Sequence, residues 1–234
     1  MLHSLDSYMT SSRSFVSAIL LAGGRGTRMQ TCEPKQFLPM QGKLLSFYSF
    51  ETLSACPLIK EIIIVCQPAY FSLFEAPHLS LKWAPPGKLR QDSVFNALNC
   101  VSKDAELLCI HDAARPFLSH EDLLIVIEAG FTHKAAALAS PAKNTIKQSD
   151  ENAFVARTLE RCTLWEIYTP QVTTPSLLEQ GFAIAKERSM TATDDMSLVE
   201  LTGHPVKLVK GSSAKMKITC PQDLAIANAL LKMP

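Results

Sequence analysis

Short apolar runs alternate along this chain with stretches in which apolar residues recur every three or four positions. FVSAILLA (15–22), EIIIVC (61–66), LKWA (81–84), ELLCIHD (106–112) and AAALASPA (135–142) have the length of strands. The 61–66 run is continuous and β-branched, as in a strand covered on both faces. Between these runs, 44–55, 91–101 and 120–131 carry apolar residues at helical spacing. Strand alternating with helix predicts a mostly parallel sheet with helices on both sides. The expected fold class is therefore α/β, a Rossmann-like three-layer sandwich.

The rhythm breaks after Ala142. NTIKQSDENAFVART holds two short alternating stretches around the turn-forming SDEN, a hairpin signal. Residues 143–168 are read as a β-arm protruding from the main sheet. The α/β pattern then returns with a helix over 175–187, strands over 205–211 and 216–219, and a helix over 221–232. Pro221 suits the first position of that helix, where a missing N–H costs nothing. The first fourteen residues are polar and serine-rich, without the apolar centre of a signal peptide. They are read as a tail preceding a single domain over 15–234.

Composition narrows the partners. A chain of 234 residues can bury a large core. With 19% charged residues and a formal net charge of +1, it has no bulk field for nucleic acid or a membrane surface. No apolar run approaches the ~18 residues of a membrane span. An anion site must be built locally. Seven cysteines without a C-x-x-C pair suggest reduced thiols and a cytoplasmic setting. Cys32 is a lone loop cysteine with no evident histidine partner and is read as incidental.

The local candidate is ILLAGGRGTRMQTCEPKQFL (19–38). Three glycines, Gly23, Gly24 and Gly26, follow the first strand and would let backbone N–H groups face an anion. A dinucleotide fingerprint fails because Met29 stands where its third glycine belongs, and the spacing of a P-loop fails too. Two readings remain: a triphosphate loop carrying its own cations, Arg25, Arg28 and Lys35, or a surface turn with solvated charges. Asp112 ends an apolar strand and so belongs at the carboxyl edge of the sheet, where ligands bind in such folds. A carboxylate there could hold Mg²⁺ beside a triphosphate, cap a helix, or pair with Arg115. His111 is read as structural.

LLAGGRGTRM followed by PKQFL resembles the nucleotidyltransferases that activate sugar and polyol phosphates. HDAARPF (111–117), TPQ (169–171), TDDMSLVE (193–200) and KIT (217–219) narrow the resemblance to the 2-C-methyl-D-erythritol 4-phosphate cytidylyltransferase family of the non-mevalonate isoprenoid pathway. It runs from about residue 15 to 232. It implies CTP and a polyol phosphate as substrates, with a CDP-alcohol and pyrophosphate as products. By this resemblance Arg28, Lys35 and Lys217 are the catalytic cations. Ala22, Gly23, Gly24, Gly26, Gly87, Arg90, Ser93, Asp112 and Ala113 bind the nucleotide, and Asp112 also holds Mg²⁺ or another divalent cation. Thr145, Arg161, Thr169 and Thr193 contact the polyol phosphate. The arms of two subunits interlock in a homodimer, so Arg161 would serve the neighbouring site.

Two positions depart from the family pattern. Ala214 stands where an aspartate is common, and Lys88 where an acid is usual. LAGGRGTRM also resembles ribitol-5-phosphate cytidylyltransferase, which keeps that activity open. So is a non-catalytic nucleotide-binding module, although Arg28, Lys35, Asp112 and Lys217 argue against it.

Overall fold

Seven strands form one sheet whose order from edge to edge is Lys207–Lys210, Ala135–Pro141, Trp165–Thr173, Leu107–Asp112, Val16–Leu21, Ile59–Val65 and Ser80–Ala84. In this computed structural model residues 15–24, 26–29, 33–212 and 216–232 are described. The first fourteen residues, Arg25, Cys32 and Ala214 lie outside the described residues. The strands are β1 (Val16–Leu21), β4 (Ile59–Val65), β5 (Ser80–Ala84), β6 (Leu107–Asp112), β7 (Ala135–Pro141), β10 (Trp165–Thr173) and β11 (Lys207–Lys210). β1 pairs in parallel with both β4 and β6, and β4 with β5.

The continuous apolar runs follow from burial on both faces. Ala18 and Leu20 of β1 point to one side, with Ile62 and Ile64 of β4, against helices α1 (Leu45–Ser54) and α4 (His120–His133). Ile19, Leu21, Ile63 and Val65 point to the other, against α3 (Arg90–Leu98) and α5 (Pro175–Glu187). Period-two alternation of direction with no alternation of polarity leaves each strand uniformly apolar. This is the expected three-layer α/β sandwich.

The structure adds elements that the pattern did not predict. A two-residue hairpin, β2 (Pro39–Met40) and β3 (Lys43–Leu44), precedes α1. Short helices α2 (Pro68–Phe71) and α6 (Asp195–Glu200) follow β4 and α5. The largest addition is β10, which lies antiparallel between β6 and β7. Pro170 hides it in the sequence, because proline cannot donate to a ladder. The β10–β7 register breaks between Ile167 and Gln171, around that proline.

Two expected boundaries are corrected. The arm was read as 143–168, but Trp165 already belongs to the sheet. The protruding hairpin is β8 (Lys147–Ser149) with β9 (Val155–Thr158). The 216–219 stretch is not a strand. Its backbone is tied to loops instead: the Ile218 N–H donates to the Ala114 carbonyl at 2.8 Å. Ile218 packs with Met40, Leu45 and Ala227, the last from the final helix α7 (Pro221–Leu230). Asp223 accepts from the Thr219 hydroxyl and N–H and the Cys220 N–H, bonds that lower its pKa to about 2 and fasten the start of α7.

Candidate active site

Register brings the site together. Leu21, the last residue of β1, lies opposite Val65 of β4 and Asp112 of β6, and Val65 lies opposite Ala84 of β5. Four parallel strands therefore end level, and the loops after them share one edge. They enclose an open cleft of about 650 Å³. Gly23, Gly24, Lys35, Gly87, Arg90, Ser93, Asp112 and Lys217, eight of the residues singled out from sequence, line it.

Asp112 is the electrostatic centre. One carboxylate oxygen accepts from Arg90 Nε at 3.1 Å, and the other accepts from Lys217 Nζ at 2.7 Å. Arg115 Nε lies 3.6 Å from that second oxygen. Burial pushes the Asp112 carboxyl up, but Arg90 and Lys217 outweigh it and hold it well below the usual range. Asp112 is an anion at any working pH. Its backbone N–H donates to the Thr169 hydroxyl at 3.1 Å, and that hydroxyl also bonds His111 Nδ1. His111 Nε2 meets the Ser49 hydroxyl and the Arg115 carbonyl, so both ring nitrogens of this buried histidine have protein partners.

Lys217 owes its direction to its neighbours. Ile218 is sunk into the small core beside α7 and Met216 packs at its margin, so the residue between them faces the cleft. Lys35 arrives from the other side. Its ammonium donates to the Ile218 carbonyl at 2.6 Å, which joins the glycine loop to the Lys217 segment. Burial, and then the nearby Lys217 charge, lower the Lys35 pKa from 10.5 to about 8, with Asp112 pulling the other way. Arg28 adds to the lowering, so it lies within electrostatic reach of Lys35, although it does not line the cleft.

Gly26 and Gly87 show why glycine is needed beside the cleft. Gly26 has φ +64°, and a Cβ there would also crowd Lys35 at 3.2 Å. At Gly87 a Cβ would lie 2.2 Å from Asp92 Cβ and 2.9 Å from the Ser93 N. The Gly87 N–H donates to the Ser93 hydroxyl at 2.9 Å, fixing this loop on the start of α3. Gly87→Ala is expected to cost about 1–3 kcal/mol through that overlap. Thermal unfolding checks it, and a melting curve like that of the wild type would mean that the loop yields freely.

Other sequence-derived residues sit elsewhere. Ala22 and Ala113 are buried behind the cleft wall. Thr169 is buried and spent on Asp112 and His111. The Thr193 hydroxyl bonds Ser197 at 3.2 Å. Thr145 and Arg161 are exposed at the base of the hairpin, with Arg161 Nη1 donating to the Lys143 carbonyl at 3.0 Å. These four do not line the cleft of their own chain. Sequence reasoning missed Asp195, which holds Arg90 bidentately, and Gln171, which holds Asp195. Both lie inside quoted motifs, but nothing in the motifs marked them as buried. The six described cysteines form no disulfide with one another.

The described residues contain no cluster of three or more His, Cys, Asp or Glu side chains able to hold a metal. A divalent ion would have one protein carboxylate, Asp112, whose oxygens already face Arg90 and Lys217. That fits Mg²⁺ only in its usual form with nucleotides, where phosphate oxygens and water supply most ligands.

An ionised acid, converging cations and a glycine loop, set at the carboxyl edge of a doubly covered sheet, define a nucleotide-handling α/β protein of the nucleotidyl-transfer class. The comparisons agree and go further. The family model described as IspD, 2-C-methyl-D-erythritol 4-phosphate cytidylyltransferase, matches residues 16–233. The chloroplastic 2-C-methyl-D-erythritol 4-phosphate cytidylyltransferase of Oryza sativa is 45% identical over 220 residues, covering 92% of this chain and 74% of the relative. The enzyme of that name from Chlamydia pneumoniae is 43% identical over 215 residues, covering 92% and 98%. Among solved structures, the 4-diphosphocytidyl-2C-methyl-D-erythritol synthase of Anaerococcus prevotii superposes with a TM-score of 0.82 at 28% identity, covering 94% of this chain and 99% of that one. The Thermus thermophilus cytidylyltransferase gives 0.75 at 31%, covering 92% and 98%. The chain belongs to the 2-C-methyl-D-erythritol 4-phosphate cytidylyltransferase family, and it is a nucleotidyltransferase. No helix among the described residues is long and apolar enough to cross a membrane.

Proposed function

We propose that the chain transfers CMP from CTP to 2-C-methyl-D-erythritol 4-phosphate, releasing pyrophosphate and forming 4-diphosphocytidyl-2-C-methyl-D-erythritol. The supporting observation is the convergence of Lys35, Lys217 and Asp112 on one cleft beside the glycine loop. The attacking phosphate oxygen is already ionised near neutral pH, so the site needs no general base. It must place two anions together and stabilise the charge that builds up on the transferred and leaving phosphates. Lys35 and Lys217 are assigned that work, with Arg28 nearby. Gly23, Gly24 and Gly26 present the backbone of the loop to the triphosphate, and Gly87 with Ser93 forms the wall for the base. Asp112 would hold Mg²⁺ together with phosphate oxygens and water, and the ion would supply charge that offsets part of the phosphate charge. A cytoplasmic setting belongs to the same reading, in keeping with six described cysteines that are not paired with one another.

The hairpin is assigned to a second copy of the chain. Phe154, in the turn just before β9, is 73% exposed and Val155, which opens β9, is 62% exposed, on a hairpin whose strands have three and four residues. Two such strands are marginal alone and call for a partner surface. Thr145 and Arg161 are exposed and do not line their own cleft, so they are assigned to the neighbour's polyol phosphate. Phe154→Asp is expected to turn a dimer into a monomer in analytical ultracentrifugation. An unchanged sedimentation coefficient would remove the arm from the interface.

Pyrophosphate release from CTP, with 2-C-methyl-D-erythritol 4-phosphate or ribitol 5-phosphate as acceptor, tests the activity. Release with the erythritol compound is the expected result. Release with ribitol 5-phosphate alone would transfer the reading to the ribitol enzyme, and none with either would leave a binding module.

Lys35 gives this reaction a pH signature. Transfer needs it protonated, so kcat/KM for CTP should fall as pH rises through about 8. Bound triphosphate favours the ammonium, so the matching limb in kcat should lie higher. Lys35→Arg should remove the limb, and a limb that persists would assign it to another group. Stability moves in the opposite direction. The folded pKa lies below the unfolded value, so charged Lys35 costs stability below pH about 8, and that cost fades between about 8 and 10.5.

A further inference from the structure

Arg90 lines the cleft and, from sequence, was expected to meet the nucleotide. Its donors point elsewhere. Nε reaches Asp112 at 3.1 Å, while Nη1 and Nη2 reach the two oxygens of Asp195, each at 2.8 Å. Asp195 opens α6 and is 1% exposed. Its N–H and that of Met196 donate to Gln171 Oε1 at 2.9 and 3.2 Å, and Gln171 Nε2 donates to Asp194 at 2.9 Å. Gln171 is buried on β10, in the middle of the sheet. An unbroken series of polar contacts thus runs Gln171, Asp195, Arg90, Asp112, Lys217, from the interior of the sheet to the cleft.

We infer that Asp195 is a positioning residue that keeps Arg90 on Asp112 and off the phosphates of the nucleotide, so that Lys217 is presented from a fixed acid. The inference rests on the proposed reaction for its kinetic part only. The bidentate pair is the most direction-demanding contact in the series, and it is buried on the Asp195 side. It uses the guanidinium on protein carboxylates before substrate arrives. Released from Asp195, Arg90 would add a positive charge to a cleft that receives a highly charged anion. That charge would tighten CTP in the ground state, where tightening does not speed transfer. It would also compete with Lys217 for Asp112.

Two variants test this, with CTP affinity measured by calorimetry and turnover by pyrophosphate release. Asp195→Asn should bind CTP at least about threefold more tightly, more so at low salt, as expected for an added cleft charge. Its kcat should fall at least about tenfold. A role confined to holding the fold predicts no tightening, so affinity that rises less than this overturns the inference. The double variant Asp195→Asn with Arg90→Gln removes both charges and carries the test if the single variant does not fold. It should bind CTP within about twofold of the wild type, because an Arg90 held off the phosphates contributes no contact to lose. Weaker binding than that would make Arg90 a ligand and overturn the inference. Wild-type protein that binds CTP but releases no pyrophosphate would sink the proposed reaction and leave the affinity test standing.

Discussion

Replacing Lys35 by alanine is expected to cut turnover at least about a hundredfold, and Lys217→Ala to do the same, while both variants still unfold cooperatively. Each removes a positioned cation from the place where phosphate charge develops, a loss worth about 3 kcal/mol of barrier by analogy with oxyanion-hole donors. The structural costs are smaller and differ. Without Lys35 the Ile218 carbonyl loses a 2.6 Å donor, a buried-acceptor penalty of about 1–3 kcal/mol. Without Lys217 the Asp112 carboxylate keeps Arg90 and Arg115. Pyrophosphate release at saturating CTP, read beside a thermal melt, separates the two losses. Near-normal turnover in both variants would discredit the assignment of these lysines.

Asp112→Asn is expected to be the most damaging single change to the fold and the site together. Three cations, Arg90, Arg115 and Lys217, share this one acid. Removing one member of a buried charge cluster costs about 3–5 kcal/mol when its partners stay behind unneutralised, and here Lys217 and Arg115 lose this acid while Arg90 keeps Asp195. The lower end applies here, since the Arg90 and Lys217 side chains remain 29% and 37% accessible and water relieves part of the cost. Denaturant unfolding should show a stability loss of about 3 kcal/mol. Turnover should fall to background even at temperatures where the variant is fully folded. A variant as stable as the wild type would mean that the cations relax into solvent, and that the acid does not organise the cleft.

The parallel core was legible in the sequence because burial on both faces writes a local signal, an unbroken apolar run. β10 was not, because Pro170 interrupts its pattern and its antiparallel place depends on partners far away in the chain. The stretch 216–219 shows the converse error. Its alternation of Met216 and Ile218 with Lys217 is real, but it comes from docking beside α7, not from a ladder. In the site, glycines and strand-end acids announce themselves through backbone need and position, so Gly23, Gly24, Gly26, Asp112 and the loop cations could be singled out, while Gly87 and Lys217 came from the resemblance. Asp195 and Gln171 could not. A carboxylate that meets an arginine 105 positions away leaves no mark at its own position. The arm residues Thr145 and Arg161 were named by resemblance alone, and one chain gives them nothing to touch in its own cleft.

The seat of Lys217 has a consequence for synthesis on the ribosome. A nascent chain can lay down β1, β4, β5 and β6 and bring Asp112 to the sheet edge long before residue 217 has been translated. The segment that aims this lysine is anchored by Ile218 against Ala227, so it cannot settle until α7 has emerged from the exit tunnel. It is therefore α7 that arms the cleft, and a nascent chain that stops short of it lacks the seat of Lys217.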